Sequence, residues 1–296
     1  MKISSKSSFT ECPSQYIVVE HVFYQLGMPV HRSVSQPALK EFLSLFEKKI
    51  APLSLAEKWD NVGFILEAPN AVNSVNELRV RTCIDMTMSV VAEAVANKDN
   101  LIVTYHPQLF SATQSLTLAS HEPLLTCAFN GISVFSPHTA LDSVDNGIND
   151  AMLTAFEGLE KSREACSIRE DLTKIGRVVI LEEPIHVDEV VKHIKKHLGL
   201  SHVRIANPGL THIKSVAVCA GAGVSVVKGV NADLYWTGEM SHHDVLACLK
   251  AGKVVVLCEH TNTERFYLPI LAAKLNDLGV QSVSISEADK EPLMIV

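Results

Sequence analysis

Three histidines stand just beyond apolar segments that are typical of buried strands. His106, His138 and His260 each lie within three residues of the end of such a segment. In α/β sheets, ligands bind outside the carboxyl ends of the strands. These positions are therefore the first candidates for chemistry, although a single histidine after a strand is more often a helix cap or a hydrogen-bonded core group.

Two of the three histidines are followed by a carboxylate at the same spacing. His138 precedes Asp142 by four residues, and His260 precedes Glu264 by four. If the chain turns into a helix after each strand, one helical turn brings both side chains of a pair to the same face. Imidazole and carboxylate ligands suit zinc, iron(II), manganese or cobalt. The spacing predicts a divalent-metal site, and two ions about 3.5–4 Å apart would support metal-assisted hydrolysis.

A further polar segment follows another apolar run. Glu239, His242 and His243 come shortly after residues 233–237 and are candidates to orient metal ligands or to contact a substrate. In the alternative interpretation, Ser241 caps a helix that starts at residue 242, and both histidines lie in its first turn. The residues alone leave both interpretations open.

Two glycine-containing loops favour turns over ligand sites. Residues 219–223 (Cys-Ala-Gly-Ala-Gly) lie between a strand and a helix but lack the third glycine of the dinucleotide fingerprint. Residues 59–63 (Trp-Asp-Asn-Val-Gly) contain Asp, Asn and Gly, which are common in turns.

The elements that must position these residues alternate along the chain. Strands are predicted at 79–85, 101–105, 132–135, 177–181, 215–219, 233–237 and 253–258, and helices at 38–50, 88–97, 120–130, 188–198, 223–230, 242–251 and 266–278. This alternation predicts a layered α/β fold with mixed, largely parallel sheets.

The same order of motifs occurs twice. In residues 83–142 and again in 219–264, a cysteine is followed by Ser-Val-Val, a second strand, a second helix, a third strand and a His-Thr-x-x-acid motif. The ordered set predicts two related α/β lobes, at 38–170 and 171–296, with a metal-binding cleft between them. Residues 1–37 are polar and contain several prolines, so we expect an irregular N-terminal extension.

Composition excludes several classes of protein. Hydrophobic residues make up 47% and charged residues 20%, which is typical of a globular chain. No segment approaches the roughly 18–20 apolar residues of a membrane helix. The net charge of −7 argues against a nucleic-acid partner. Seven cysteines without Cys-x-x-Cys spacing indicate reduced thiols and a cytoplasmic protein, with a mitochondrial or nuclear location left open.

Five motifs together resemble those of the NIF-three-like family, whose members are also called GTP cyclohydrolase I type 2 homologues. The motifs stand in the family's order, and the resemblance spans about residues 38–296. They are Lys58-Trp-Asp-Asn-Val-Gly63, Tyr105-His-Pro107, Ser136-Pro-His-Thr-Ala-Leu-Asp142, Thr237-Gly-Glu-Met-Ser-His-His243 and Glu259-His-Thr-Asn-Thr-Glu-Arg265. The short middle of the chain is similar to that of compact eukaryotic members without an inserted domain.

The resemblance implies a dinuclear metal centre between the lobes and a ring-shaped homohexamer. The ligands that it implies in this sequence are His106, Asp142, His260 and Glu264. Bacterial members have two adjacent histidines before the proline, and Tyr105 stands in place of the first one. Because a neutral phenol, with a pKa of about 10, binds these metals poorly, we expect one or two divalent ions (Zn, Fe, Mn or Co) per chain.

Two functions remain as hypotheses. The first is a metal-dependent hydrolase of a small, nucleotide-like molecule, in which His138, Glu239, His242 or His243 moves protons; the cyclohydrolase class is implied by the resemblance alone. The second is a non-catalytic metal-binding ring scaffold, or a transcription-linked regulator, that binds protein partners. Neither hypothesis involves a membrane.

Overall fold

The computed structural model describes residues 33–69, 75–168 and 174–294. Within these ranges the helices are α1 (Gln36–Lys49), α2 (Met88–Ala96), α3 (Leu118–Phe129), α4 (Thr139–Ser143), α5 (Ile148–Leu153), α6 (Val187–Leu198), α7 (Val224–Val227), α8 (His242–Lys250), α9 (Asn262–Arg265) and α10 (Leu268–Asn276). The strands are β1 (Gly63–Leu66), β2 (Arg79–Cys83), β3 (Leu101–Thr104), β4 (Ser133–Ser136), β5 (Glu160–Ile168), β6 (Lys174–His186), β7 (Arg204–Ala206), β8 (His212–Cys219), β9 (Leu234–Thr237), β10 (Val254–Leu257) and β11 (Ser282–Ile285).

Of the N-terminal extension predicted at residues 1–37, residues 1–32 lie outside the described part of the chain. The last residues of that range belong to the fold. Val34 is fully buried and pairs with Val75 in an isolated bridge. Ser35 then caps α1, because its Oγ accepts a hydrogen bond from the backbone N–H of Ala38.

The described strands form two mixed sheets, which confirms the predicted α/β class. The first has the order β1-β4-β3-β2-β11, and the second has the order β5-β6-β8-β9-β10-β7. In the first sheet β2, β3 and β4 are parallel, and in the second β8, β9 and β10 are parallel. An antiparallel strand flanks the last of the three in each case, β1 beside β4 and β7 beside β10. The unit of three parallel strands with two intervening helices therefore occurs twice.

Two strands depart from the predicted division of the chain at residue 170. Strand β5 pairs with β6 in the second sheet, and β11 pairs with β2 in the first. The register of β11 places Ser282 beside Arg79 and Ile285 beside Thr82. Such pairing joins segments that are far apart in sequence, so no local pattern indicates it. The C-terminal part of the chain thus returns to complete the first sheet.

Both faces of the central strands are buried. In β3, Leu101 and Val103 belong to a central cluster of apolar side chains, whereas Ile102 belongs to a second cluster on the other face. In β10, Val254 and Val256 join the central cluster and Val255 joins a third. Strands buried on two faces have continuous apolar runs, which explains why the sequence pattern located them.

The carboxyl ends of the parallel strands meet at one cleft. Asp85, His106 and His138 follow β2, β3 and β4, and all three line it. Gly221 and His260 follow β8 and β10 and also line it. Among the described helices, none has the length and apolar character needed to span a bilayer.

Candidate metal centre

Three side chains converge in this cleft. Nε2 of His106 lies 3.5 Å from Oε1 of Glu264, and Nε2 of His260 lies 3.2 Å from the same oxygen. Glu264 stands on α9, one helical turn after His260, as the spacing predicted. The potential ligand atoms of the three residues all lie within 4.8 Å of one another. Two imidazole nitrogens and a carboxylate oxygen form a donor set that suits a divalent transition metal.

A second carboxylate orients each histidine. The Nδ1–H of His106 donates to Oδ1 of Asp85 at 2.9 Å, and the Nδ1–H of His260 donates to Oε1 of Glu239 at 3.0 Å. Metal-binding histidines usually have such a partner, because it fixes the ring orientation and increases the basicity of the other nitrogen. In both residues that other nitrogen, Nε2, faces Glu264.

Two further observations show that the residues fit a cation. Glu264 is buried, and its Oε2 has no hydrogen-bond partner among the described residues. An unpaired buried carboxylate oxygen is costly unless a cation compensates it. Gly221, with φ of +62°, provides the space: a Cβ atom there would lie 2.6 Å from Glu264 Oε1 and 3.0 Å from His260 Nε2.

Protons balance the charge of Glu264 when no cation is present. Burial acts to lower the pKa of His106, but its hydrogen bonds to Asp85 and Glu264 raise that pKa to about 10. The hydrogen bond to Glu264 outweighs burial and raises the pKa of His260 to about 9. Burial acts to raise the pKa of Glu264, but the two histidines lower it. At neutral pH both imidazoles are therefore protonated and the carboxylate is ionised.

Asp142 lines the same cleft but is not part of the cluster of three. Its Oδ1 accepts a hydrogen bond of 2.6 Å from the phenol of Tyr105. Burial raises the pKa of Asp142 to about 6, and the bond from Tyr105 acts in the opposite direction. Burial also raises the pKa of Tyr105, with the charges of Asp142 and Glu264 adding to the effect, so the phenol stays neutral. Tyr105, which stands where the resemblance implies a histidine, thus forms a hydrogen bond to one oxygen of the predicted ligand Asp142.

His138 lies beside the cluster under a different constraint. Its Nδ1–H donates to Oδ1 of Asp60 at 2.8 Å, and the other oxygen of Asp60 accepts from the backbone N–H of Thr139 at 3.1 Å. His138 has φ of 30°, a conformation that costs about 1–3 kcal/mol outside glycine. Its ring contacts those of Tyr105 and His106 at centroid distances of 5.5 and 5.4 Å. Asp60 holds this strained residue at the wall of the cleft.

In the segment after β9, one of the two open interpretations applies to Glu239 and the other to His242 and His243. Glu239 contacts His260 and so belongs to the centre. His242 and His243 lie outside the cleft: they are exposed, in the first turn of α8, and their rings contact each other at 5.5 Å. Ser241 caps this helix, since its Oγ accepts from the backbone N–H of Asp244 at 3.2 Å. The position of the cap directs both histidines away from the cleft.

Sequence reasoning missed two carboxylates of the site. Asp85 follows β2 by two residues, so the rule of strand ends that located His106 also applies to it. Asp60 lies in residues 59–63, which are predicted as a turn and belong to one of the five family motifs, but no role is predicted for it. It contacts His138 across 78 residues of sequence, a separation at which no local pattern indicates a pair.

Comparison with known proteins gives the family. Residues 37–292 match the family model described as Duf34/NIF3 (NGG1p interacting factor 3). The chain belongs to the DUF34/NIF3 family. It is 39% identical over 256 residues to the protein NIF3 homolog of Schizosaccharomyces pombe, covering 81% of this chain and 91% of that protein. It is 31% identical to human NIF3-like protein 1, covering 87% of this chain and 92% of the human protein.

Two solved structures have the same fold as this chain. The hypothetical protein SA1388 of Staphylococcus aureus aligns with a TM-score of 0.73 and 21% identity, covering 87% of this chain and 99% of that one. Reduced HcgD from Methanocaldococcus jannaschii aligns with a TM-score of 0.71 and 26% identity, covering 83% and 96%. The family model and the relatives of 31–39% identity confirm, over most of the chain, the resemblance inferred from five motifs.

Proposed function

We propose that this DUF34/NIF3 protein is a metal-dependent hydrolase of a small molecule, with one divalent cation held by His106, His260 and Glu264. The observation that carries the proposal is the convergence of two Nε2 atoms on one buried carboxylate, with a second carboxylate behind each imidazole. Zinc, iron(II), manganese and cobalt all accept this donor set.

The residues around the centre support hydrolysis. A divalent cation, when bound, polarises a substrate oxygen and lowers the pKa of water at the site. Asp85 and Glu239 hold the imidazoles in the orientation that such a cation needs. Asp60 occupies Nδ1 of His138, which leaves Nε2 of that residue to exchange a proton with a substrate.

The pair of Tyr105 and Asp142 supports one ion instead of two. A second cation bound by Asp142 would compete with the phenol for Oδ1, where the hydrogen bond measures 2.6 Å. Burial keeps Tyr105 protonated by raising its pKa, so its oxygen offers a cation only a neutral donor. One of the two sites implied by the family resemblance is accordingly weakened in this chain.

Elemental analysis of the purified protein tests the centre. We expect one divalent ion per chain, lost in His260→Ala and retained in the control His242→Ala, which changes an exposed histidine outside the cleft. His138→Gln is expected to keep the ion and lose turnover. Protein that takes up none of the four metals would contradict the centre. Metal-replete protein that is inert towards phosphoester, amide and nucleotide substrates would contradict the hydrolase.

The name of one relative supports a second function, binding to a protein partner. The Saccharomyces cerevisiae protein called NGG1-interacting factor 3 is 35% identical over 270 residues. Under this proposal a partner binds to the surface of the folded chain, so His260→Ala removes the metal but leaves the partner bound. A pull-down with matched His260→Ala and His242→Ala proteins separates partner binding from metal binding.

A further inference from the structure

Two large aromatic side chains stand exposed at the cleft. Trp59 is 61% exposed and Phe110 is 54% exposed, and both line the cavity, which has a volume of about 590 Å³. Exposed apolar side chains beside a cavity of this size are typical of ligand sites. None of the chemistry proposed for the metal centre uses either ring.

A hydrogen bond joins the two loops that carry these aromatic residues. Nδ2 of Asn61 donates to the carbonyl oxygen of Leu109 at 2.6 Å, which ties the loop carrying Trp59 to the loop carrying Phe110. Both rings also contact His138 nearly perpendicular to it, at centroid distances of 5.9 Å for Trp59 and 5.8 Å for Phe110. The two rings therefore flank one side chain at the wall of the cleft and are positioned before any ligand arrives.

The charge of the cleft restricts what these rings can bind. Four acidic residues line it, Glu57, Asp85, Asp142 and Glu264, and the described lining residues include no lysine or arginine. The two positive charges of one divalent cation are fewer than the three negative charges of Asp85, Asp142 and Glu264. The same three carboxylates also outweigh the two positive charges of the protonated His106 and His260 in the metal-free protein. In either state a phosphate group would enter a site of net negative charge, with no lysine or arginine among its described lining residues to receive it.

We propose that the cleft binds an uncharged or cationic planar heteroaromatic compound, stacked on Trp59 and Phe110, and discriminates against its phosphorylated forms. The proposal rests on the proposed hydrolase for its chemistry and narrows the substrate to a ring compound that reaches the metal centre without a phosphate. Flat rings stack on indole and phenyl faces whatever their substituents, and a cationic ring gains further from the π-faces and the surrounding carboxylates.

Fluorescence offers a direct test, because the chain has two tryptophans and Trp236 is fully buried. Adenosine, adenosine 5′-monophosphate and the cation 1-methylnicotinamide are titrated into the protein, and quenching of the exposed Trp59 is followed. We expect adenosine and 1-methylnicotinamide to quench, and the monophosphate to bind at least tenfold more weakly than adenosine. Phe110→Leu is expected to weaken binding of both quenchers roughly tenfold, as in other base-stacking sites.

The matched control changes another exposed phenylalanine. Phe129, which is 67% exposed at the end of α3, does not line the cleft, so Phe129→Leu should leave both affinities unchanged. Absence of quenching by both compounds at millimolar concentration would overturn the proposal. So would monophosphate binding equal to or tighter than adenosine binding, or equal losses in Phe110→Leu and Phe129→Leu.

Titrations with metal-free and metal-loaded protein separate this proposal from the hydrolase. Stacking on Trp59 and Phe110 requires no cation, so adenosine is expected to quench in both states. If the protein takes up none of the metals but adenosine still quenches its fluorescence, the metal centre is refuted and the aromatic site is supported. If the protein binds one ion per chain but neither compound quenches its fluorescence, the metal centre is supported and the aromatic site is refuted.

Discussion

Binding of a divalent cation to the metal-free protein at pH 7 is expected to release about two protons per chain. The pKa of His106 is raised to about 10 and that of His260 to about 9, so both imidazoles are protonated at this pH. A cation needs the lone pair of each Nε2, and each ligand must therefore lose the proton it shares with Glu264. Zinc, as the chloride, is a suitable probe.

This expected release of two protons differs clearly from that of a site built from two histidines with unshifted pKa values. Two histidines with the usual pKa of about 6.5 would release roughly half a proton in total at pH 7. The metal affinity also depends on these protons, because each proton that is released on binding makes binding more favourable as the pH rises. With pKa values of about 9 and 10, affinity should increase about 90-fold between pH 7 and pH 8, whereas two ordinary histidines would give an increase of less than about twofold.

Calorimetry measures the proton release directly. The heats of titrations at pH 7 in PIPES and in MOPS differ by the number of protons released multiplied by the difference between the ionisation enthalpies of the two buffers. Asp85→Asn removes a carboxylate that raises the pKa of His106, so the release measured in the same way at pH 8 should be smaller in this variant than in the unchanged protein. Asp277→Asn, at an exposed position, serves as the control. Release of half a proton or less, unchanged in Asp85→Asn, would refute the proposed coupling of the histidines to their carboxylates.

Three further predictions concern the centre and its assembly. Gly221→Ala places a Cβ 2.6 Å from Glu264 Oε1 and 3.0 Å from His260 Nε2, so metal affinity should fall at least tenfold while circular dichroism shows a retained fold. Tyr105→His should raise the metal content from one to two ions per chain by freeing Asp142, whereas Tyr105→Phe should leave it at one; elemental analysis distinguishes the two. Light scattering after size exclusion is expected to give the mass of a hexamer, as the family resemblance implies, and a monomer at micromolar concentration would contradict that expectation.

The cluster of His106, His260 and Glu264 could be predicted because its members follow a rule of topology. The apolar runs before His106 and His260 are buried on both faces, so their composition alone indicates strands. The carboxyl ends of parallel strands meet at one edge, and a spacing of four residues brings Glu264 to the face of His260. Both steps depend only on residues that are close together in the sequence.

Other contacts of the site depend on distances that local sequence does not encode. Tyr105 and Asp142 are 37 residues apart, and Asp60 and His138 are 78 apart. Their pairing follows from how loops at the strand ends pack, as does the pairing of β11 with β2. For His242, the deciding factor is where α8 begins, and a shift of a few residues in the cap would redirect its side chain.

The duplicated architecture explains why the two His-x-x-x-acid motifs are not equivalent. Each follows the third parallel strand of its sheet, β4 or β10. In the second copy, His260 and Glu264 face each other at 3.2 Å. In the first copy, His138 donates to Asp60 and Asp142 accepts from Tyr105, so each member of the pair has a different hydrogen-bond partner. The first sheet instead contributes His106, and this asymmetry between the two copies supports the proposal of a single cation held by His106, His260 and Glu264.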